Sequence, residues 1–309
     1  MNSALLSVVL PCFNDGVQAL AAVRSLECLP RPAGCELEGI VVDDASTDGS
    51  AAVLEKGLPA WVRLLRAEAN LGRGGAINLG ATGGRGSRLL ILDSDCLPAA
   101  EQFLLAHDAA LAAGVDASVG GIVGGGAGFW GRYQSQAAAR RETASGAHGA
   151  TSGMTTANVM IRAEVFRRAG GFDPRYRHYG FEDRDLLLRL QRCGARLEFN
   201  PRATARHSSD LGMAGIVGKM RSCGRYSAPL FRAAHPEAYA RLGYQAIDAQ
   251  LHPLRGALLA PFAGVMLSRA DSIERVLQRD WVPFSLRAAL ARLTTALAYC
   301  EGTRTAAQG

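Results

Sequence analysis

Lysine is almost missing from this chain. Of 34 basic residues only Lys56 and Lys219 are lysine, and the rest are arginine. No Gly-Lys-Ser/Thr occurs, so a Walker-type phosphate loop is excluded, and the glycines of residues 69–80 do not form G-x-G-x-x-G. Aromatics make up only 6% of the chain. No apolar run approaches the ~20 residues needed to cross a bilayer. The seven cysteines include no C-x-x-C pair and no metal-ligand spacing, so reduced, buried thiols are expected rather than a disulfide framework. The 36 glycines follow no Gly-X-Y period, which excludes a collagen-like chain. The opening MNSALLSVVL has neither a charged n-region nor a cleavage site. No signal peptide is expected, and the chain is expected to stay in the cytoplasm.

What is present is an ordinary globular mixture: 309 residues, 48% apolar and 20% charged. The net charge of +6 is unevenly placed. Residues 1–214 carry 22 basic and 22 acidic side chains, whereas residues 215–309 carry 12 basic and 6 acidic ones. A basic tail favours phosphate groups on a nucleotide, a nucleic acid or a membrane surface. Nucleic acid is disfavoured, because the first two-thirds is neutral, aromatics are few and no reader motif occurs.

Apolar runs at 4–10, 39–42, 62–65 and 89–92 alternate with stretches of helical spacing at 17–26, 51–55 and 74–79. Strand, helix, strand in repetition predicts a mostly parallel sheet covered by helices, with the ligand site beyond the carboxyl ends of the strands. Further on, 155–161 reads as a strand and 163–169 as a helix stopped by Gly170-Gly171. Residues 182–193 read as a helix and 195–199 as a last short strand. The glycine-rich 120–131 reads as loop or strand-turn. From about residue 215 arginine-rich helices are expected, and the chain divides into an α/β domain over 1–214 and a basic helical region over 215–309. Within it, 254–269 has 13 uncharged residues between Arg255 and Arg269, which suits either a shallow interfacial segment or a buried helix.

Five places carry chemistry. In ILDSDC, an apolar strand ends in Asp93 and Asp95. Two oxygen donors at a strand tip suit Mg²⁺ or Mn²⁺, although they equally suit caps for a helix over 98–111. In VVDDASTDGS, Asp44 offers an acceptor to a nucleobase N–H, while Ser46, Asp48 and Ser50 suit helix caps. Arg73, among glycines, is a candidate phosphate contact. In GFEDRDLLLRL, Glu182, Asp183 and Asp185 cluster where a helix begins. They suit either the macrodipole or a general base. His207 gains weight only if it returns to the Asp93–Asp95 tip. Trp130 is a candidate for stacking on an acceptor sugar, with core burial the commoner fate of a tryptophan.

In this order the motifs resemble family 2 glycosyltransferases of the GT-A fold, from Ser7 to about His207. The resemblance rests on SVVLPCFN, VDDASTDGS, the N-x-G-x-x-x-x-x-N-x-G pattern over 70–80, the DSD, and the late Glu-Asp pair. GGFDPRYRHYGFEDRDLLLRL is also similar to the carboxyl-terminal segment of galactosyltransferases. The resemblance implies that Pro11, Asn14, Asp15, Asp44 and Asp93 line the nucleotide pocket and that Asp95 and His207 ligate Mn²⁺ or Mg²⁺. It makes Asp183 the catalytic base and puts Glu182 at the acceptor. It also implies an inverting transfer from a nucleotide-sugar donor, expected to be a UDP-sugar, to a carbohydrate or lipid-linked acceptor in cell-surface polysaccharide or glycoconjugate synthesis. The basic tail would meet the inner face of a membrane. Cys12 and Phe13 depart from the usual polar-aromatic pair, and Gly75-Ala76 replaces a common Ala-Arg, leaving Arg73 as the nearby cation. The competing classes are a nucleotidyltransferase, which wants a basic residue close behind the first strand where PCFNDG stands, and an inactive sugar-nucleotide-binding protein.

Overall fold

The computed structural model describes residues 4–126, 128–147, 154–208 and 212–306. They form two compact units. The first takes in Met1–Gly125, Gln134–Arg177 and Leu186–Ser209; the second takes in Gly126–Tyr133, His178–Asp185 and Asp210–Gly309.

The first unit is built on one eight-stranded sheet. Its strands are β1 (Ala4–Cys12), β2 (Cys35–Asp43), β3 (Val62–Arg66), β4 (Arg88–Leu92), β5 (Cys96–Pro98), β6 (Ala117–Gly124), β7 (Asn158–Arg162) and β8 (Leu197–His207). Their order is β3-β2-β1-β4-β7-β6-β8-β5. β1, β2, β3 and β4 pair in parallel, as do β6 and β8, while β7 and β5 run antiparallel to their neighbours. The carboxyl ends of β1, β2, β4 and β8 therefore share one rim.

Alternation along the strands explains why both faces are covered. Leu6, Val8 and Leu10 of β1 and Leu90 and Leu92 of β4 enter one core cluster. Val9, Leu89 and Ile91 enter the other. A period of two with both sets apolar leaves no face for water. Fully burying each such side chain contributes about 1.5–3 kcal/mol. The first face is roofed by α1 (Gly16–Glu27), α2 (Ser50–Gly57) and the helix that opens at Phe103 after β5, through Leu26, Leu54 and Phe103. The other is roofed by α3 (Gly72–Gly83) through Ile77. Then follow α4 (Phe103–Ala112), α5 (Phe129–Ala147), α6 (Ala163–Arg168) and α7 (Glu182–Arg192), whose Leu186, Leu187 and Leu190 enter the second cluster.

Two expectations are corrected. The last strand runs from Leu197 to His207, well beyond the expected 195–199. A register shift between Gly120 and Ile122 of β6 lets β8 bulge around Pro201, which a regular ladder would reject. The glycine-rich 120–131 is not loop throughout, since its first part completes β6 and its last part opens α5 at Phe129.

At the bulge a buried polar network ties α4 to the sheet. His107 is fully buried. Its Nδ1 lies 2.9 Å from Ser118 Oγ and its Nε2 3.0 Å from Asn158 Oδ1. Asn158 Nδ2 donates to Ala203 O at 2.7 Å, and Asn200 Nδ2 donates to Ser118 Oγ at 3.2 Å. A side chain at Gly120 would collide with Ala203 O and Asn158 Nδ2, so only glycine lets the strands close here.

The second unit is helical: α8 (Met213–Ser222), a π-helical turn over Cys223–Ser227, α9 (Ala228–Ala234), α10 (Pro236–Arg241), α11 (Pro253–Leu267), α12 (Ala270–Leu277) and α13 (Phe284–Arg304). Its core gathers Phe129, Trp130, Met213, Leu267, Leu277 and Leu297. α13 is the longest of the arginine-bearing helices expected from about residue 215.

Candidate functional site

On the first unit's rim the acidic residues do converge. Pro11 is buried near the end of strand β1, and Asn14 follows in the left-handed region at φ 55°. The Asn14 side chain accepts from Thr47 N–H at 2.8 Å, and its own N–H donates to Ser46 Oγ at 2.9 Å. These bonds lash the loop after β1 to the loop after β2. Ser46 is thus no helix cap, whereas Asp48 does accept from Ser50 N–H at 2.9 Å at the start of α2.

Asp44 is 2% exposed, and its Oδ1 accepts from Leu71 N–H at 2.7 Å. Burial pushes its carboxyl above the usual range, while backbone bonds from Leu71 and Gly72 pull it back. Asp44 therefore fixes the turn into α3. Gly72 opens that helix at φ 75°, where a Cβ would stand 2.5 Å from Arg177 O.

The DSD turn lies beside these loops. α4 starts only at Phe103, after β5, so Asp93 and Asp95 are not its caps. Asp93 Oδ1 accepts from Arg73 Nε at 2.7 Å, and Arg73 Nη1 donates to Thr156 Oγ1 at 3.1 Å. Arg73 thus steadies the first carboxylate of the pair. Ser94 Oγ donates to Asp15 Oδ2 at 2.7 Å, joining the β1 and β4 ends. Burial raises the Asp15 carboxyl, the Ser94 bond lowers it and the Asp95 charge raises it again. Carboxylates held close together against their preference are a feature of working sites.

His207 returns to this tip. β5 pairs with β8 so that Cys96 faces His207, and Ser208 N–H donates to Asp95 O at 2.7 Å. The register brings His207 Nε2 to 3.0 Å from Asp95 Oδ2. Among the described residues no cluster of three or more His, Cys, Asp or Glu stands ready for a metal. One carboxylate and one imidazole converging on a half-open rim nevertheless fit a divalent cation that keeps positions for substrate oxygens.

The Glu182–Asp183 pair belongs to the second unit. Gly180 has φ 101° and Phe181 φ 67°, so the chain enters α7 through a strained turn. Phe181 stacks on Phe231 with centroids 4.6 Å apart. Asp185 Oδ1 lies 2.8 Å from His235 Nε2, both side chains buried. Ser227 Oγ donates to Tyr179 O at 3.1 Å. Asp185 is thus anchored, Glu182 is buried and Asp183 is half-buried in the same first turn. Tyr179, three residues before Glu182, is 50% exposed.

Trp130 corrects the sequence expectation. It is 8% exposed in the second unit's core, and its Nε1 donates to Glu274 Oε1 at 3.0 Å. The ring is committed to packing rather than offered to a sugar. Sequence reasoning missed Ser94, Thr156 and His235. The small serine inside the DSD was the visible hint, because its hydroxyl is a side-chain hydrogen-bonding group set between the two acids.

Comparisons with known proteins place the chain in a family and a fold. The description "Glycosyl transferase family 2" matches residues 7–170, and "N-terminal domain of galactosyltransferase" matches residues 140–209. The succinoglycan biosynthesis protein ExoO of Rhizobium meliloti is 38% identical over 73 residues, 24% of this chain and 21% of that protein. A dolichyl-phosphate beta-glucosyltransferase of Dictyostelium discoideum is 30% identical over 104 residues, 31% of this chain and 32% of that protein. The chain therefore matches only a fifth to a third of the length of these relatives. The mannosyltransferase PcManGT from Pyrobaculum calidifontis, solved with GDP-Man and Mn²⁺, superposes with a TM-score of 0.60 at 19% identity. That superposition covers 96% of this chain and 85% of the other. With more than half of its length matched by the family and its sheet laid out as in that transferase, the chain belongs to the family 2 glycosyltransferases and has the GT-A fold.

Proposed function

We propose that this protein transfers a hexosyl group from a nucleoside diphosphate sugar, with a UDP-sugar as the first donor to try, to a hydroxyl of a carbohydrate or lipid-linked acceptor, with inversion. The observation that carries the reading is the meeting of Asp15, Asp93, Asp95 and His207 on one strand rim, with Asp44 holding the adjoining turn. Pro11, Asn14, Asp15, Asp44 and Asp93 form the nucleotide side, with Arg73 bracing Asp93. Asp95 and His207 would hold Mn²⁺ or Mg²⁺, which when bound neutralises charge on the diphosphate leaving group. The Mn²⁺ in the mannosyltransferase complex supports that assignment.

Asp183 is the general base in this reading. It takes the proton from the acceptor hydroxyl as that oxygen bonds to the anomeric carbon and the bond to the diphosphate oxygen breaks. One displacement inverts the configuration. Glu182 orients the acceptor, and the exposed ring of Tyr179 replaces Trp130 as the stacking face. The short stretch shared with the succinoglycan protein favours a polysaccharide or glycoconjugate product.

The test is Asp183→Asn. Nucleoside diphosphate release from a donor panel with acceptor should fall by on the order of 10²–10⁴-fold, while donor binding in a thermal-shift assay stays within error. Near-normal turnover would refute the base assignment, and a product with retained configuration would refute the single displacement.

A further inference from the structure

α11 has an outer face unlike the rest of the protein's surface. Leu254 is 82% exposed, Leu258 81%, Phe262 53% and Val265 56%. Steps of four, four and three place them on one side of the helix. Gly256, Ala263 and Leu267 are buried. The inner side is closely seated, since a Cβ on Gly256 would meet the Ala249 Cβ at 2.6 Å. The helix is therefore buried along one side and open along the other, so the wholly buried helix that was one option for 254–269 does not hold. Four large apolar side chains facing outward along one helix, with no acidic residue among them, cost solvation free energy that an isolated protein would not retain without use.

We infer that this face docks α11 flat onto an anionic lipid leaflet. The helix has 15 residues, about 22 Å long at the α-helical rise. No helix among the described residues is long and apolar enough to cross a membrane, so the helix lies along the surface instead. Charge selects the lipid. Arg255 follows Leu254 in the first turn, where its guanidinium also donates to Ala246 O, and Arg269 stands just past the helix end. Residues 215–309 carry twice as many basic as acidic side chains, 12 against 6. Each arginine near an anionic surface adds attraction, whereas a second copy of the same face would bring like charges together at both ends of the helix. Leu254, Leu258 and Phe262 would sink among the acyl-chain ends and the guanidinium groups would stay with the headgroup phosphates. This inference goes beyond the transfer chemistry and does not depend on it.

The full-length protein is mixed with phosphatidylcholine vesicles, with or without phosphatidylglycerol, and sedimented. The wild type should pellet with the anionic vesicles, pellet weakly with the neutral ones, and be partly released by salt. Leu258→Glu/Phe262→Glu, at positions already in solvent, should lower the partition coefficient on the order of tenfold or more with an unchanged melting temperature. Arg255→Gln/Arg269→Gln should weaken binding to anionic vesicles only, and it keeps the test open if the first variant melts early. Equal partitioning of wild type and both variants would overturn the proposal. So would a wild-type dimer in light scattering that the glutamates dissolve while the wild type ignores vesicles.

Discussion

Acidification should loosen the strand that delivers His207 to the site, and the size of the effect follows from the buried network at the β6–β8 bulge. Asn158 spends its amide N–H groups on the Ala203 and Gly121 carbonyls, so its Oδ1 must accept from His107 Nε2–H. His107 Nδ1 then accepts from the Ser118 hydroxyl, and the ring is neutral. Burial pushes its pKa down to about 4 from 6.5, against the hydrogen bonds that favour the charged form. The unfolded chain therefore binds this proton first. The stability carried by the neutral ring is complete above pH ~6.5 and is lost as pH falls toward 4. From these two values the loss is about 2 kcal/mol at pH 5 and approaches about 3 kcal/mol below pH 4. Chemical denaturation of wild type and His107→Gln across this range checks it. The glutamine variant should be less stable at pH 7.5 and show the smaller slope between pH 6.5 and 4.5. Glu38 does not confuse the reading. Burial alone would raise its carboxyl, but bonds from Ser7 and Arg85 outweigh that and hold it below the usual range. Its contribution is lost only at lower pH. Parallel slopes for the two proteins would refute the argument.

Two further outcomes are expected. Asp95→Ala or His207→Ala should abolish the Mn²⁺-induced rise in melting temperature and the metal requirement of transfer together. Full activity in excess chelator would remove the metal assignment. Gly72→Ala should cost about 2–3 kcal/mol, because the left-handed backbone and the approach to Arg177 O both oppose a Cβ. Urea unfolding measures it, and a change below about 0.5 kcal/mol would show that the turn shifts freely.

Much of the first unit was legible because its strands are continuous apolar runs. Leu6–Leu10 and Leu89–Leu92 are buried on both faces, and each ends at a carboxylate or a proline that marks the rim. β6 and most of β8 were not legible. Gly120, Gly121 and Pro201 are strand breakers by propensity, and they are tolerated only because the bulge and the close approach of Ala203 O demand them. The DSD, His207 and Glu-Asp residues could be picked from their motifs, but no local signal shows that Cys96 pairs opposite His207 and so sets Asp95 beside the imidazole. Trp130 was misjudged for a similar reason: its partner Glu274 lies 144 residues away. The chemistry of Asp44 was visible while its turn-fixing bond to Leu71 was not.

Among the described residues the non-glycine positions with left-handed backbone are Asn14, Ala45 and Phe181, and each adjoins a residue assigned here to donor or acceptor. An engineer seeking heat tolerance would reach Ala45→Gly early, since relaxing that one peptide unit returns about 1 kcal/mol. The same change would slacken the loop between Asp44 and Ser46, whose hydroxyl holds Asn14. Thermal hardiness and turnover should then part company at this residue, so screening on melting temperature alone would select against the enzyme.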